Sequence, residues 1–218
     1  MGKTFLLGLI HGLSDRPSDE ANDLINNIID NNFQLHVYLV GPGMWSWSKD
    51  EQRQVTQHAK SIGIDVTKSN WHKREWLDWG WLAKAKEQFL YYDSLGAYSC
   101  EIDNLDSAIG YDPDKTISSF MELQKFCVTN GITTKLMIKN LDENQLLRLI
   151  NEVTSGSIQN NFLADWGMFE KGTGEPERQI ELCKKIGIYA VTPISGITDT
   201  NHYGVVKDGV PSLASVGE

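Results

Sequence analysis

Paired cysteines, positive charge and long apolar runs are what this chain lacks. Cys100, Cys127 and Cys183 are odd in number and none belongs to a CxxC pair, which argues against a disulfide framework or a structural zinc site. Lys and Arg number 20 against 29 Asp and Glu, a net charge of −9. Such a surface suits neither nucleic acid nor an anionic membrane. No stretch approaches the roughly 18 continuous apolar residues of a membrane helix. His11, His36, His58, His72 and His202 show neither HxH nor HExxH spacing, so no metal and no cofactor is expected. GxGxxG and P-loop patterns, repeats and low-complexity tracts are absent too, which removes the usual nucleotide-binding signals. There is no N-x-S/T sequon, and the start "MGKTFLLGLIHG" is too short an apolar run for a signal-peptide core with a cleavage site. The chain reads as cytoplasmic as it stands, and as secreted if a leader was removed.

What is present is a run of strand–helix units. "TFLLGLIHG" (4–12) and "FQLHVYLVGPG" (33–43) read as strands, each closed by glycine-rich turns. Tyr98–Asp103, "TKLMIKN" (134–140), "NNFLADWG" (160–167) and "GIYAVTPIS" (187–195) follow. Helical spacing appears in Leu24, Ile25, Ile28 and Ile29, over about 49–62, and over 115–129 with Asp112-Pro113-Asp114 as its start signal. Leu146, Leu147, Ile150 and Val153 mark another helix, and Ile180, Cys183 and Ile186 the last. Alternating strands and helices imply a parallel sheet. Seven or eight such units in this length predict an α/β fold, a TIM-type (β/α)8 barrel with an incomplete or rearranged first or last unit. One domain over 1–208 is expected, as a monomer, with 209–218 as a tail.

The strand ends are polar: His11, Asp103, Lys139-Asn140, Asp165, Thr192 and Ser195. In a parallel barrel these ends meet on one face, where active sites lie. The segment "SCEIDNLD" (99–106) places Glu101, Asp103 and Asp106 within six residues, a cost in repulsion and desolvation that a function would explain. Carboxylates from two nearby strands, Asp103 and Asp165, are what glycosidic-bond cleavage requires: one protonates the leaving oxygen, the other attacks or activates water. Each could equally be a helix cap. The seven tryptophans include Trp45, Trp76 and Trp166 in loop-like segments or beside a carboxylate, and flat aromatic faces stack on sugar rings.

These residues resemble a known family. "REWLDWGWLAKAKEQFLYYDSLGAYSCEIDNLD" is similar to the WLD-then-ExDNxD pattern of the endo-α-1,4-polygalactosaminidases, family 114 of the glycoside hydrolases. "HVYLVGPGMWSW", "KLMIKN" and "FLADWGMFEKGTGE" extend the likeness in colinear order over roughly residues 5–193. The resemblance implies hydrolysis of an α-linked galactosamine polymer, of the galactosaminogalactan kind, with Asp103 and Asp165 as the catalytic pair. It implies that Glu101, Asn104 and Asp106 position the first carboxylate and contact the sugar. Trp76 and Asp78 would line the cleft, with Lys139 and Asn140 between the acids. His11, Trp45 and Trp166 are further expected substrate contacts, from the polar strand ends and the aromatic residues, although the family has acidic residues near His11 and after the second strand, where this chain has Met44-Trp45. The family has Glu where this chain has Asp165, and its initial strand is missing here or replaced around Tyr203–Val206.

An acidic, aromatic cleft of this kind is expected to prefer a cationic amino sugar. The alternative is a carbohydrate-binding barrel without catalysis, which keeps the tryptophans and needs no carboxylate pair. A Schiff base at Lys139 would need a depressed amine pKa, and flanking acids act the other way.

Overall fold

The structure, a computed structural model, describes residues 3–9, 26, 30, 34–39, 53, 57, 60, 81–102, 105–169, 176–191, 202–207 and 210–215. Four strands lie side by side in chain order and parallel: β1 (Lys3–Leu9), β2 (Gln34–Leu39), β3 (Ser99–Ile102) and β4 (Lys135–Met137). A second parallel pair, β5 (Trp166–Met168) and β6 (Tyr189–Val191), continues from β4 through parallel bridges Leu136–Leu163 and Lys139–Met168. On the other edge of β1 runs β7 (His202–Lys207), antiparallel, with β8 (Val210–Ser215) antiparallel to it. β6 and β8 are themselves in contact.

The end of the chain departs from the expectation. Residues 209–218, read as a tail, contain β8. "VPSLAS" carries too little apolar character to announce a strand, but only Asp208-Gly209 separate it from β7. Asp-Gly in a two-residue connection is a strong hairpin signal.

Between strands the chain is helical where the spacing predicts. Asn26 and Asp30, then Arg53, Gln57 and Lys60, are exposed helical positions. The further helices are α1 (Trp81–Ser94), α2 (Leu105–Tyr111), α3 (Pro113–Asn130), α4 (Glu143–Thr154) and α5 (Pro176–Lys184). α3 starts because the Asp112 carboxylate accepts the Lys115 N–H and Pro113 needs no partner for the donor it lacks. It stops at Gly131, whose φ of 67° closes the helix in the left-handed region. α4 opens on a capping box between Asp142 and Gln145. The α1 end is tied to β4 through Asp93, whose carboxylate accepts from the N–H and hydroxyl of both Thr133 and Thr134 at 2.8–3.1 Å. Burial pushes its pKa up, and those four donors outweigh burial and hold it below the usual value.

The two faces of the strands differ in chemistry. Leu35, Val37, Cys100, Ile102, Leu136, Ile138 and Leu163 join Phe89, Phe120, Leu123, Leu146 and Leu149 of the helices in one apolar cluster. Each such side chain contributes roughly 1.5–3 kcal/mol by leaving water. The alternate positions, His36, Ser99, Glu101 and Met137, face the other way, and Met137 joins Ala164, Trp166 and Met168 in a second cluster. The helix-facing side is apolar and the opposite side is polar where β2, β3 and β4 meet. No helix among the described residues is long and apolar enough to cross a membrane.

Candidate functional site

Strand alternation sends His36, Ser99 and Glu101 to one side, and there they touch. His36 Nδ1 is 2.7 Å from Ser99 Oγ, and its Nε2 is 3.4 Å from Glu101 Oε2. Glu101 Oε1 lies 3.0 Å from Lys139 Nζ, an ion pair set off the line of a hydrogen bond. His36, Ser99 and Glu101 are at most 1% exposed, and Lys139 is 12% exposed. The Trp166 indole meets the imidazole edge-on, with ring centroids 4.8 Å apart.

Burial lowers the His36 pKa; the Glu101 hydrogen bond and charge oppose this, and Lys139 adds to it. The ring is therefore neutral at pH 7, and its partners assign its proton. A carboxylate can only accept, so Nε2 carries the hydrogen and Nδ1 accepts from the Ser99 hydroxyl. A buried ion pair contributes little to stability for its desolvation cost, so its presence here singles out this face as a candidate site.

The location agrees. Glu101 is the penultimate residue of β3, and Lys139 lies two residues beyond β4, so the pair is at the C-terminal ends of parallel strands. Asn140 follows with φ 55°, the one positive value at a non-glycine residue among the described residues. Its N–H donates to the Met168 carbonyl at 2.8 Å. Asn tolerates the left-handed region better than most residues, and such backbone concentrates at functional sites.

Asp165 is elsewhere. It precedes β5 instead of ending a strand, and its carbonyl accepts from the N–H of Tyr189, the first residue of β6. Its carboxylate is 3.2 Å from Lys135 Nζ, which also reaches the Tyr98 hydroxyl at 3.2 Å. Burial raises the Tyr98 pKa, and the hydrogen bond to Asp165 adds to it. Lys135 begins β4 and Tyr98 stands just before β3, so this cluster marks the N-terminal ends of the strands. Four extended residues, about 13 Å, separate Lys135 from Lys139.

Local geometry explains the displacement. Between the two bridges β4 has two residues and the facing segment four, so the chain bulges at 164–167 and the strand end moves past Asp165. Gly167 permits the close approach: a Cβ there would lie 2.8 Å from Ile138 Cγ1. The same shift moves Trp166. Expected beside a loop as a sugar-stacking ring, it is a β5 residue 1% exposed and offers no face to a ligand.

Of the remaining expected site residues, His11, Trp45, Trp76, Asp78, Asp103 and Asn104 lie outside the described residues, as does the side chain of Asp106 in the first turn of α2. Glu101, Lys139 and Asn140 are brought to one end of the sheet. Glu101 is 1% exposed and faces Lys139. Sequence reasoning missed His36 and Ser99. The signal was the alternation in "QLHVYL", which puts a histidine on the face opposite Leu35 and Val37.

Ser99, His36 and Glu101 also have the composition of a hydrolytic triad. Ser99 is wholly buried at the first residue of β3, so its hydroxyl anchors the ring and meets no substrate. No group of three or more His, Cys, Asp or Glu among the described residues could hold a metal ion. Neither a family model nor a curated protein nor a solved structure matches the chain.

Proposed function

We propose that this chain is a glycoside hydrolase acting on a polysaccharide, an α-linked galactosamine polymer being the substrate that its charge and motifs fit best. The observation that carries the reading is the Glu101–Lys139 pair at the C-terminal ends of β3 and β4, inside the acid-rich segment that resembles the polygalactosaminidases. The proposed architecture is a barrel of β1–β6 completed by the β7–β8 hairpin. Its support is the strand order, the β4–β5 bridges and the β6–β8 contact.

Asp103, two residues after Glu101, is the proposed first carboxylate. The pairing of Asp165 with Lys135 favours a different residue as the partner of Asp103. The chain leaving β5 reads Phe169-Glu170, which makes Glu170 the acid in the sequence position that the second role requires. One protonates the glycosidic oxygen while the other attacks the anomeric carbon or activates water. The polymer would bind with its protonated amines toward the acidic mouth, an attraction that salt weakens.

The same displacement of Asp165 favours a second reading, a binding barrel without turnover. Incubating the protein with α-1,4-linked galactosamine polymer, deacetylated and N-acetylated, and counting new reducing ends separates the two. Turnover that Asp103→Asn and Glu170→Gln each abolish, and that Asp165→Asn leaves within about threefold, supports the hydrolase. General acid–base help is worth about 10²–10⁴-fold, so a folded Asp103→Asn protein with normal turnover refutes the assignment. Tight binding without new ends by the wild type supports the second reading.

A further inference from the structure

Behind Lys139 three polar side chains meet in sequence. Ser99 Oγ meets His36 Nδ1, His36 Nε2 meets Glu101 Oε2, and Glu101 Oε1 meets Lys139 Nζ. We infer that His36 is a positioning residue of this site: its Nε2–H orients the Glu101 carboxylate, which in turn fixes the Lys139 ammonium at the end of β4, where it serves substrate hydroxyl groups. The last clause rests on the hydrolase reading; the orientation itself does not.

The physical case is one of freedom removed in steps. A lysine ammonium is a point charge on a flexible four-carbon stem, so its place is set by its partner. A glutamate side chain can turn its carboxylate, and here the two oxygens face different partners from β2 and beyond β4. The imidazole is in turn held by the Ser99 hydroxyl at 2.7 Å and by the edge-on Trp166 ring. Flipping the ring would break the Ser99 contact and turn Nε2 away from Glu101. The titratable groups facing His36 among the described residues are Glu101 from β3 and Lys139 from the end of β4. Partners of this kind behind a binding group commonly set activity by about 10–100-fold.

Two substitutions separate the two ring nitrogens. Glutamine places its amide N–H near Nε2 and keeps the donor to Glu101; asparagine places its amide near Nδ1 and keeps only the Ser99 contact. On deacetylated galactosamine polymer, His36→Gln should hold kcat/KM within about threefold, while His36→Asn should lose about 10–100-fold. On a Glu101→Gln/Lys139→Met background, which removes the pair, the two should turn over alike. Equal losses in the first background, or a difference that survives in the second, overturn the inference.

Two readouts do not need turnover. Imidazole 15N spectra of the labelled full chain, with the His36 signals identified by their loss in His36→Gln, should show the neutral Nε2–H form at pH 7. Acetic anhydride labelling of Lys139, read by mass spectrometry, should speed up in His36→Asn and not in His36→Gln. A charged or Nδ1–H ring, or equal labelling, overturns the inference. Should a His36 variant fail to fold, Ser99→Ala takes its place: mixed tautomers and faster Lys139 labelling are expected, and no change in either overturns it. If the wild type cleaves neither polymer, the hydrolase reading falls and these two readouts alone decide the positioning role.

Discussion

Lys139→Met tests the buried pair most sharply. The substitution keeps the length of the side chain and removes its charge. Glu101, 1% exposed, is then left facing His36 Nε2 at 3.4 Å. Removing one member of a buried pair costs about 3–5 kcal/mol, because the remaining charge stays desolvated. Glu101→Gln is milder. Its amide oxygen still accepts from His36, and Lys139, 12% exposed, can carry its ammonium toward water along its flexible stem. Losing a hydrogen-bonded charge there costs about 1.5–3 kcal/mol. The double variant removes both charges and should be more stable than Lys139→Met alone, since a neutral pair of similar size is often tolerated. Urea unfolding at pH 7, followed by tryptophan fluorescence and circular dichroism, gives each value by linear extrapolation. Glu101→Gln costing as much as Lys139→Met, or a double variant whose loss is the sum of the two, would refute the reasoning.

Three further outcomes follow from other parts of the molecule. Gly167→Ala should cost about 1–3 kcal/mol by overpacking, because its Cβ would meet Ile138 Cγ1 at 2.8 Å and the Ile138 carbonyl oxygen at 3.3 Å; an unchanged melting temperature would show that β4 can yield. His36 has a folded pKa lowered by burial, so below about 6.5 the unfolded chain binds more protons than the folded one. Stability should fall with pH from there, and His36→Gln should flatten that slope in urea titrations at pH 5–7. Asp93→Ala should cost at least about 1.5–3 kcal/mol by removing the charged acceptor shared by Thr133 and Thr134. The folded Asp93 pKa is lowered, so its contribution is present above about pH 4 and is lost as pH falls through the folded value. A wild-type-like Asp93→Ala at neutral pH would show that water replaces the carboxylate.

What was legible in the sequence was local. The start of α3 at Pro113 and the buried Leu146 and Ile150 of α4 follow from the Asp112 cap and 3.6-residue spacing. Leu147 and Val153, expected with them, are only partly buried, and Leu149 is the third buried residue. Strands announced by apolar runs were found, but their ends were not. "NNFLADWG" reads as one strand, yet Asn160–Phe162 forms a 3-10 turn and β5 begins only at Trp166. The bulge that separates them arises from pairing with β4, a partner more than 20 residues away in the chain, and nothing in the run itself encodes it. That shift places Asp165 before β5 and beside Lys135, not at a strand end. The β7–β8 hairpin was missed for the opposite reason, its signal being two residues, Asp208-Gly209, between weakly apolar segments.

The acid-rich segment can be accounted for in part by this pairing. Along β3, Cys100 and Ile102 turn to the helices while Glu101 turns to the opposite face. Parallel register sets Glu101 beside Met137, and Lys139 lies two residues further along. A displacement of roughly 6–7 Å along the strand is within reach of a lysine stem, and the ammonium returns to meet the carboxylate. The Glu101 charge is therefore balanced from the end of β4, by a residue 38 positions later. It follows that Glu101 adds no net negative charge to the mouth. On the hydrolase reading a preference for a cationic sugar would come from Asp78, Asp103, Asp106 and Glu170, and Glu101→Gln, which leaves the Lys139 charge uncompensated, should weaken binding of a deacetylated polymer more than of its N-acetylated form.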